Sequence, residues 1–164
     1  MALCERLQRL FEEKHTRYRL LSHAEAFTAA GTAAASHVPG RELAKVVVLR
    51  AEDGPLLMAA LPTPVWVDVG AMARATGRRG LRLATEAEFE PLFPDCEVGA
   101  MPPFGQLYGL PLYLDPCLAR GREIAFQAGN HHEVVVMDYA DYERLAQPVV
   151  CPRCLHRARS RAAG

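Results

Sequence analysis

Apolar residues at helical spacing begin the chain, and strand-like runs follow. Four apolar residues of the first stretch recur at helical spacing: Leu3, Leu7, Leu10 and Phe11. This spacing predicts an amphipathic helix over residues 3–14. The apolar, β-prone residues 16–21 predict a first strand. Thr28 stands before an alanine-rich stretch and predicts an N-capped helix over residues 29–36.

The most continuous apolar pattern predicts a β-hairpin in the first half of the chain. Residues 42–49 are rich in β-branched side chains, which is typical of a buried strand. Asp53-Gly54-Pro55 is a turn signal, and residues 56–61 are a second apolar run. A cationic side chain, Lys45, interrupts the first strand near its start.

Capping signals divide the stretch that follows the hairpin. Asp68 predicts the N-cap of a helix over residues 69–76, and residues 81–84 predict a short strand. Thr85 and Glu88 stand three residues apart, as in a capping box. We therefore expect another helix to begin directly after Thr85 and to continue to residue 92.

The second half of the chain alternates apolar runs with turns and ends in a helical pattern. Three runs predict strands: residues 106–114, 123–127 and 133–137. Pro111 places the first of them at an edge or a bulge. Asp138 predicts the cap of a closing helix whose inward face includes Tyr142 and Leu145.

This order of elements predicts an α+β fold with a mixed, barrel-like β-sheet flanked by helices. Residues 1–150 form the expected domain, and residues 151–164 form a basic tail that we expect to be weakly ordered. The sequence contains neither a glycine-rich nucleotide-binding loop nor a Gly-x-Ser-x-Gly elbow.

Composition narrows the class of protein. The formal net charge is zero at pH 7, which argues against a globally basic nucleic-acid binder, although local basic patches stay possible. No apolar run is long enough to span a membrane, and the first residues do not resemble a signal peptide. Five cysteines, an odd number, favour free thiols in a reducing compartment, so we expect a cytoplasmic location.

The most distinctive local chemistry is the loop Gly99-Ala100-Met101-Pro102-Pro103-Phe104-Gly105. Proline fixes φ and glycine lets a backbone approach closely, so the loop is stiff and can present N–H groups to a ligand. A sharp turn between strands explains the same residues equally well.

The order of these features resembles the YbaK/prolyl-tRNA-synthetase-associated (ProX-like) family of aminoacyl-tRNA editing domains. The resemblance spans residues 16–150 and rests on four pieces: Ala44-Lys45 at a strand start, the Gly-x-x-x-Pro pattern from Gly99 to Pro103 followed by Phe104-Gly105, Asp115 after a strand, and the segment Ile124-Ala125-Phe126-Gln127-Ala128-Gly129. It implies a hydrolase that removes a wrongly attached amino acid from tRNA.

The resemblance implies that the catalytic groups are Lys45, Gly99, Ala100 and Met101. Backbone N–H groups of the loop would stabilise the oxyanion, and Lys45 would contact the terminal phosphate or the ester carbonyl. No protein general base is assigned, because a ribose hydroxyl of the tRNA can help to activate water. An ordinary solvated lysine at a strand start is the alternative for Lys45.

The resemblance also implies substrate-binding residues, each with a structural alternative. The set consists of His23, Pro103, Phe104, Asp115, Gly129 and His131. Asp115 can be a turn former, Met101 and Phe104 can belong to the core, and either His131 or His132 can face the pocket.

Two functions follow as hypotheses. The first is a trans-acting deacylase for tRNA mischarged with a small amino acid of the Ala, Ser, Cys or Thr class, with tRNA as the partner and an aminoacyl-tRNA synthetase as a further candidate partner. The second is a non-catalytic tRNA- or protein-binding module with the same fold. Val46 replaces the Asn that often follows the lysine in alanine-clearing members, which keeps the second hypothesis open.

The tail raises the question of a metal. Cys151 and Cys154 form a Cys-x-x-Cys followed by His156, which is half of a zinc site. Since Cys96 and Cys117 lie in other segments, a disordered tail with two thiols is preferred, and no metal or cofactor is assigned. The tail arginines Arg153, Arg157, Arg159 and Arg161, and also Arg78 and Arg79, are candidate phosphate contacts.

Overall fold

The computed structural model describes residues 3–157 of the 164-residue chain. The helices are α1 (Glu5–Glu13), α2 (Ala29–Ser36), α3 (Val69–Thr76), α4 (Glu86–Phe89), α5 (Pro116–Ala119) and α6 (Tyr139–Ala146). The strands are β1 (Arg19–Ser22), β2 (Leu43–Arg50), β3 (Leu56–Pro62), β4 (Trp66–Val67), β5 (Arg82–Leu83), β6 (Leu112–Leu114), β7 (Glu123–Gln127), β8 (Glu133–Asp138), β9 (Val149–Val150) and β10 (His156–Arg157).

Three of the predicted helix starts are confirmed by their caps, whereas Asp138 precedes α6 as expected but its side chain makes no capping hydrogen bond. The Thr28 hydroxyl accepts a hydrogen bond from the Gly31 N–H, and the Asp68 carboxylate accepts one from the Ala71 N–H. Thr85 and Glu88 form the reciprocal capping box, although α4 ends at Phe89 and a 3₁₀ turn continues the chain. These local signals act within a few residues, which is why sequence alone reveals them.

The predicted mixed sheet is confirmed. Its strands follow the order β1-β8-β7-β2-β3-β6-β9, and β5 pairs with the far end of β2. The hairpin of β2 and β3 is antiparallel, whereas β2 pairs with β7 in parallel. Among the residues that the structure describes, β1 and β9 do not pair with each other, so the path of the sheet stays open.

The two faces of β2 contact different layers. Ala44 and Val48 face the main core, where aromatic rings of the loop, of β7 and of α6 pack against α1. Leu43 and Leu49 face two smaller clusters on the opposite side of the sheet. Side chains alternate along a strand, so Lys45 projects to that opposite side, toward α2.

The strand expected over residues 106–114 is wrong for its first half. Residues Gly105–Tyr108 form a 3₁₀ turn, and only Leu112–Leu114 pairs with neighbouring strands. Gly109 adopts φ +68°, and the Leu110 N–H donates to the Gly105 carbonyl oxygen. This local turn satisfies backbone groups that a strand would have paired with a neighbour.

The expectation of a weakly ordered tail does not hold for residues 151–157. The side chain of Leu155 is 1% exposed, and β10 pairs antiparallel with β4. The Asp68 N–H donates to the Leu155 carbonyl oxygen, which links the tail to the start of α3. Arg159 and Arg161 lie outside the described residues.

Within residues 3–157, no helix has the length and apolar character that crossing a bilayer requires.

Candidate functional site

Lys45 lies at the wall of a cavity on the α2 side of the sheet. Its side chain is half-buried, and its ammonium group donates a hydrogen bond to the carbonyl oxygen of Val65. Val46, the next residue, packs against the main core on the other face. The side chain at position 46 therefore does not shape the surroundings of Lys45.

The cavity has a volume of about 400 Å³ and is lined mainly by small or apolar side chains. Its lining residues are Thr28, Ala30, Ala33, Gly40, Lys45, Thr63, Pro64, Val65 and Trp66. Gly40 lets the walls approach, since a Cβ atom there would lie 3.3 Å from the Pro64 ring. Both threonine hydroxyls are already hydrogen-bonded to the backbone, at Gly31 and Leu43.

One exposed aromatic side chain lines the cavity, and a second precedes a lining residue in sequence. Trp66 lines the cavity and is 52% exposed, and Phe27, which precedes the lining residue Thr28, is 72% exposed. Arg157 is the cross-strand partner of Trp66, and Arg41 follows the lining residue Gly40. Sequence reasoning missed both aromatics; the one available signal was the single Trp, placed next to a proline-rich break after the Lys45 hairpin.

The loop of residues 99–105 is mostly buried. Ala100, Pro102 and Phe104 are inaccessible or nearly so, and Met101 is 5% exposed within the main core. The Phe104 ring makes edge contacts with Phe126 and Tyr142. Phe104 is therefore a core residue, which is the alternative that the sequence analysis offered for it. It does not line the Lys45 cavity.

Hydrogen bonds hold the loop within the protein. The Ala100 N–H donates to the Glu97 carbonyl oxygen at 3.1 Å, which removes Ala100 from the candidate oxyanion donors. The Pro103 carbonyl oxygen accepts from the Tyr142 hydroxyl at 2.9 Å. Across the described chain, the N–H groups of Gly99 and Met101 have no hydrogen-bond partner.

Gly129 links the end of β7 to the loop. Its N–H donates to the Ala100 carbonyl oxygen, and its carbonyl oxygen accepts from the Glu97 N–H. It adopts φ +104°, and a Cβ atom there would come within 2.6 Å of the Cys4 Cβ. Gly129 is therefore required by close packing against the start of α1.

His131 joins the loop to the aromatic rim. Its ring lies 4.9 Å from that of Phe27, and a Cβ atom on Gly99 would lie 3.5 Å from its Cε1. His131 Nε2 is bound to the Val98 carbonyl oxygen at 2.8 Å. Within the described residues, His131 Nδ1 and His23 Nε2 are buried without a hydrogen-bond partner. His132, in contrast, is exposed.

Asp115 belongs to a different part of the molecule. Its carboxylate is fully buried, caps α5 through the Cys117 N–H, and accepts hydrogen bonds from the Leu155 N–H and the His156 ring. It therefore binds the tail and is not among the residues around the Lys45 cavity. Its role as a turn former, the alternative from the sequence, agrees with this position.

The structure brings only part of the predicted site together. Lys45 lines the cavity, whereas His23, Gly99 and His131 are not among its lining residues. His131 contacts Phe27, which precedes the lining residue Thr28. None of the loop residues 99–105 is among the described residues that line the cavity. No carboxylate or imidazole is among them either.

Among residues 3–157, two clusters have the chemistry of metal ligands, and neither contains a residue that lines the Lys45 cavity. One contains Asp115, Cys117, Cys154 and His156; the other contains Cys4, Asp95 and Cys96. The second borders a groove of about 760 Å³ on the α1 side. There the Tyr108 hydroxyl lies 3.2 Å from the Cys96 sulfur, and burial raises the pKa of Tyr108.

Comparison with known proteins defines the class. The sequence profile of the aminoacyl-tRNA editing domain matches residues 23–145, which is most of the chain. This protein therefore belongs to the aminoacyl-tRNA editing domain family, which confirms the resemblance. It is 33% identical over 152 residues to the multifunctional Ser/Thr-tRNA deacylase ProXp-y of Escherichia coli (strain K12), covering 88% of each chain.

Solved structures confirm the fold. A proposed trans-editing enzyme for prolyl tRNA synthetase superposes with a TM-score of 0.78 at 23% identity, covering 94% of this chain and 97% of that one. A protein described only as hypothetical superposes with a TM-score of 0.80 at 19% identity, covering 93% and 100%. The deacylase class expected from the sequence agrees with these comparisons.

Proposed function

We propose that this protein is a trans-acting deacylase that hydrolyses the ester of tRNA mischarged with a small amino acid. Water adds to the ester carbonyl carbon, the bond to the ribose oxygen breaks, and free amino acid and tRNA result. The observation that carries the proposal is the Lys45 ammonium group, held at the wall of a small cavity with an aromatic rim. Family membership and the named activity of the Escherichia coli relative support it.

The cavity lining favours a small aminoacyl group. Ala30, Ala33 and Gly40 contribute little side-chain volume, and the hydroxyls of Thr28 and Thr63 are already bonded to the backbone. A serine or threonine side chain of the substrate therefore fits by size. Discrimination by one methyl group is worth only about 1–3 kcal/mol, so we expect activity on several small amino acids.

The rim favours the single-stranded 3′ end of tRNA. Exposed aromatic rings stack on unpaired bases, and each such contact is worth about 1–3 kcal/mol. Trp66, which lines the cavity, and Phe27, which precedes the lining residue Thr28, are exposed and would make this contact. Arg41 and Arg157 are exposed next to lining residues and would contact phosphates.

Lys45 supplies the positive charge in the proposed mechanism. Its ammonium group would hold the terminal phosphate or the ester carbonyl, and no protein base is needed if a ribose hydroxyl of the tRNA directs the water. The absence of carboxylates and imidazoles among the described lining residues supports this assignment. A protonated, half-buried amine orients an anion strongly because water screens it less than at the surface.

The remaining predicted residues receive narrower proposed roles. The N–H groups of Gly99 and Met101 remain candidate oxyanion donors, reached by a substrate that extends past Phe27. His131 would be a positioning residue that orders Phe27, since the two rings are in contact. The partners in this proposal are tRNA and, through it, a synthetase.

A deacylation assay with tRNAs mischarged with Ser, Thr, Ala and Cys tests the proposal. We expect the wild type to hydrolyse at least one of them and Lys45→Met to lose about 100-fold or more in kcat/KM, as for removal of one electrostatic contact. Lys14→Met is the matched control, since Lys14 is exposed at the end of α1.

Three results would count against it. No hydrolysis of any tRNA, with tRNA binding retained, would favour the non-catalytic binding module. Equal hydrolysis by the wild type and Lys45→Met would remove Lys45 from the mechanism. A similar loss in Lys14→Met would show that general charge, and not the cavity, matters.

A further inference from the structure

Four side chains with metal-ligand chemistry meet where α5 contacts the tail. Asp115 and Cys117 stand at the start of α5, and Cys154 and His156 come from the segment that ends in β10. One potential ligand atom from each lies within 4.8 Å of all the others. The fold thus joins Cys154 to a cysteine 37 residues away in sequence.

The two sulfur atoms have the separation that zinc requires. Cys117 Sγ and Cys154 Sγ lie 3.7 Å apart. Two thiolates on one tetrahedral zinc, each about 2.3 Å from the metal, lie about 3.8 Å apart. A disulfide would instead need about 2.05 Å. Both cysteines are free thiols in the structure.

The nitrogen and oxygen ligands are held together by hydrogen bonds. His156 Nδ1 and Asp115 Oδ2 lie 2.6 Å apart and form a hydrogen bond. The same carboxylate accepts from the N–H groups of Cys117 and Leu155, so it orients both segments that carry ligands. Zinc with nitrogen and oxygen ligands about 2.0–2.2 Å away would need these two atoms about 3.3 Å apart, so metal binding would replace this hydrogen bond and separate the two groups by a fraction of an ångström.

The surroundings also suit a metal with thiolate ligands. Two thiolates and one carboxylate leave a zinc site with one net negative charge. Arg120 Nη1 lies 3.9 Å from the Cys117 sulfur and offsets this charge. Cys154 is exposed and His156 is only half-buried, so a metal ion can reach the site from solvent.

We propose that Asp115, Cys117, Cys154 and His156 bind one structural zinc ion. Cys151 is not a ligand in this proposal, because its side chain is buried in a separate cluster and its sulfur faces the Val149 carbonyl oxygen. The Cys-x-x-Cys of the sequence therefore contributes one thiolate, and α5 contributes the other. Four protein ligands leave no open position, which is typical of a structural and not a catalytic site.

The zinc ion would hold the wall of the Lys45 cavity. His156 belongs to β10, whose partner β4 contains the lining residue Trp66, and the carbonyl oxygen of Val65 accepts from Lys45. Loss of the metal would release β10 and let this wall move. This effect on deacylation rests on the proposed function, whereas the binding of zinc does not.

Zinc content of the full-length chain tests the site directly. Protein is purified with a reductant, treated with chelator, reconstituted with zinc sulfate, desalted, and analysed by mass spectrometry for metal. We expect about one zinc per chain in the wild type and loss of zinc in Cys117→Ser and Cys154→Ser. Cys151→Ser and Cys96→Ser are matched controls that should retain the metal.

Two further readouts separate binding from misfolding. Cobalt reconstitution should give a thiolate-to-cobalt charge-transfer band in the wild type and Cys151→Ser, weakened in Cys154→Ser, while circular dichroism checks that each variant is folded. Added chelator should lower the thermal midpoint of the zinc-loaded wild type but leave that of Cys117→Ser unchanged.

Several results would overturn the proposal. These are a wild type that holds no zinc after reconstitution, a loss of zinc in Cys151→Ser with retention in Cys117→Ser, and a Cys117–Cys154 disulfide in protein kept under reductant. Metal content is measured without tRNA. A chain that binds zinc but hydrolyses no tRNA contradicts only the proposed function, and an active chain without zinc contradicts only this inference.

Discussion

Two proline-containing segments of this protein have opposite environments. The loop of residues 99–104 packs into the main core through Phe104, and its backbone is bonded to Glu97, Gly129 and Tyr142. The segment of residues 63–66 follows β3, lines the Lys45 cavity and exposes Trp66. Both have prolines that stiffen the chain, yet among the described residues the Lys45 cavity is lined by the second segment and not by the first.

The difference shows that stiffness alone does not make a binding loop. A rigid backbone can present N–H groups outward or can serve as a frame that fixes its neighbours. Residues 99–104 serve mainly as a rigid support for their neighbours, because an aromatic side chain and buried prolines anchor this loop in the core. In residues 63–66 the side chains are half-buried or exposed, apart from Thr63, and the carbonyl oxygen of Val65 contacts Lys45.

The largest expected effect is on stability and comes from removing the side chain that anchors the loop of residues 99–104 in the core. Phe104→Ala should lower the free energy of unfolding by about 3–5 kcal/mol, because a fully buried ring in contact with Phe126 and Tyr142 is lost and a cavity remains. Urea unfolding measures this. Activity per folded molecule should change little. A variant of normal stability that has lost deacylation would instead place the Phe104 side chain in the substrate site.

A smaller effect is expected at the cavity rim. Trp66→Ala should weaken binding of the tRNA 3′ end by about 1–3 kcal/mol, since a stacking surface is removed, and should leave the unfolding free energy within about 0.5 kcal/mol. Fluorescence anisotropy with a labelled tRNA measures the affinity. Leu83→Ala is the control, because Leu83 is also 52% exposed but lies on β5. Equal losses in both variants would refute a specific role for Trp66.

The smallest expected effect concerns the one hydrogen bond from the Tyr142 hydroxyl to the loop of residues 99–104. Tyr142→Phe should cost about 1–2 kcal/mol of stability, because the buried Pro103 carbonyl oxygen loses its donor. Tyr139→Phe is the control, as the Tyr139 hydroxyl is buried without a partner among the described residues. Thermal unfolding compares the two. If Tyr139→Phe proves the more destabilising, the loop is not held by this hydrogen bond.

A residue of the candidate site could be predicted from sequence where the local pattern alone singles it out. Lys45 is distinctive because a cation interrupts an apolar strand, and strand alternation then sends it to one face. Phe104 and Asp115 were less certain, since a residue of either type can serve a core, a cap or a pocket. Trp66 and Phe27 were missed because exposure of an apolar ring leaves no sign in a single sequence.

The fold was predictable to a similar degree. Local interactions within a few residues determine the β2–β3 hairpin and the helix caps at Thr28, Asp68 and Thr85. The 3₁₀ turn of residues Gly105–Tyr108 and the ordered segment that ends in β10 depend on distant partners. A two-residue strand such as β10 has no periodicity to detect and forms only because β4 is beside it.

The sequence by itself determined the local elements, the isolated cation in a buried strand and the resemblance to editing domains, because caps, turns and alternation act over short distances. Only the tertiary structure decided which proline-containing segment faces a cavity and which faces the core. Only the tertiary structure brought Cys117 to Cys154, because contacts between distant segments depend on packing and not on spacing along the chain.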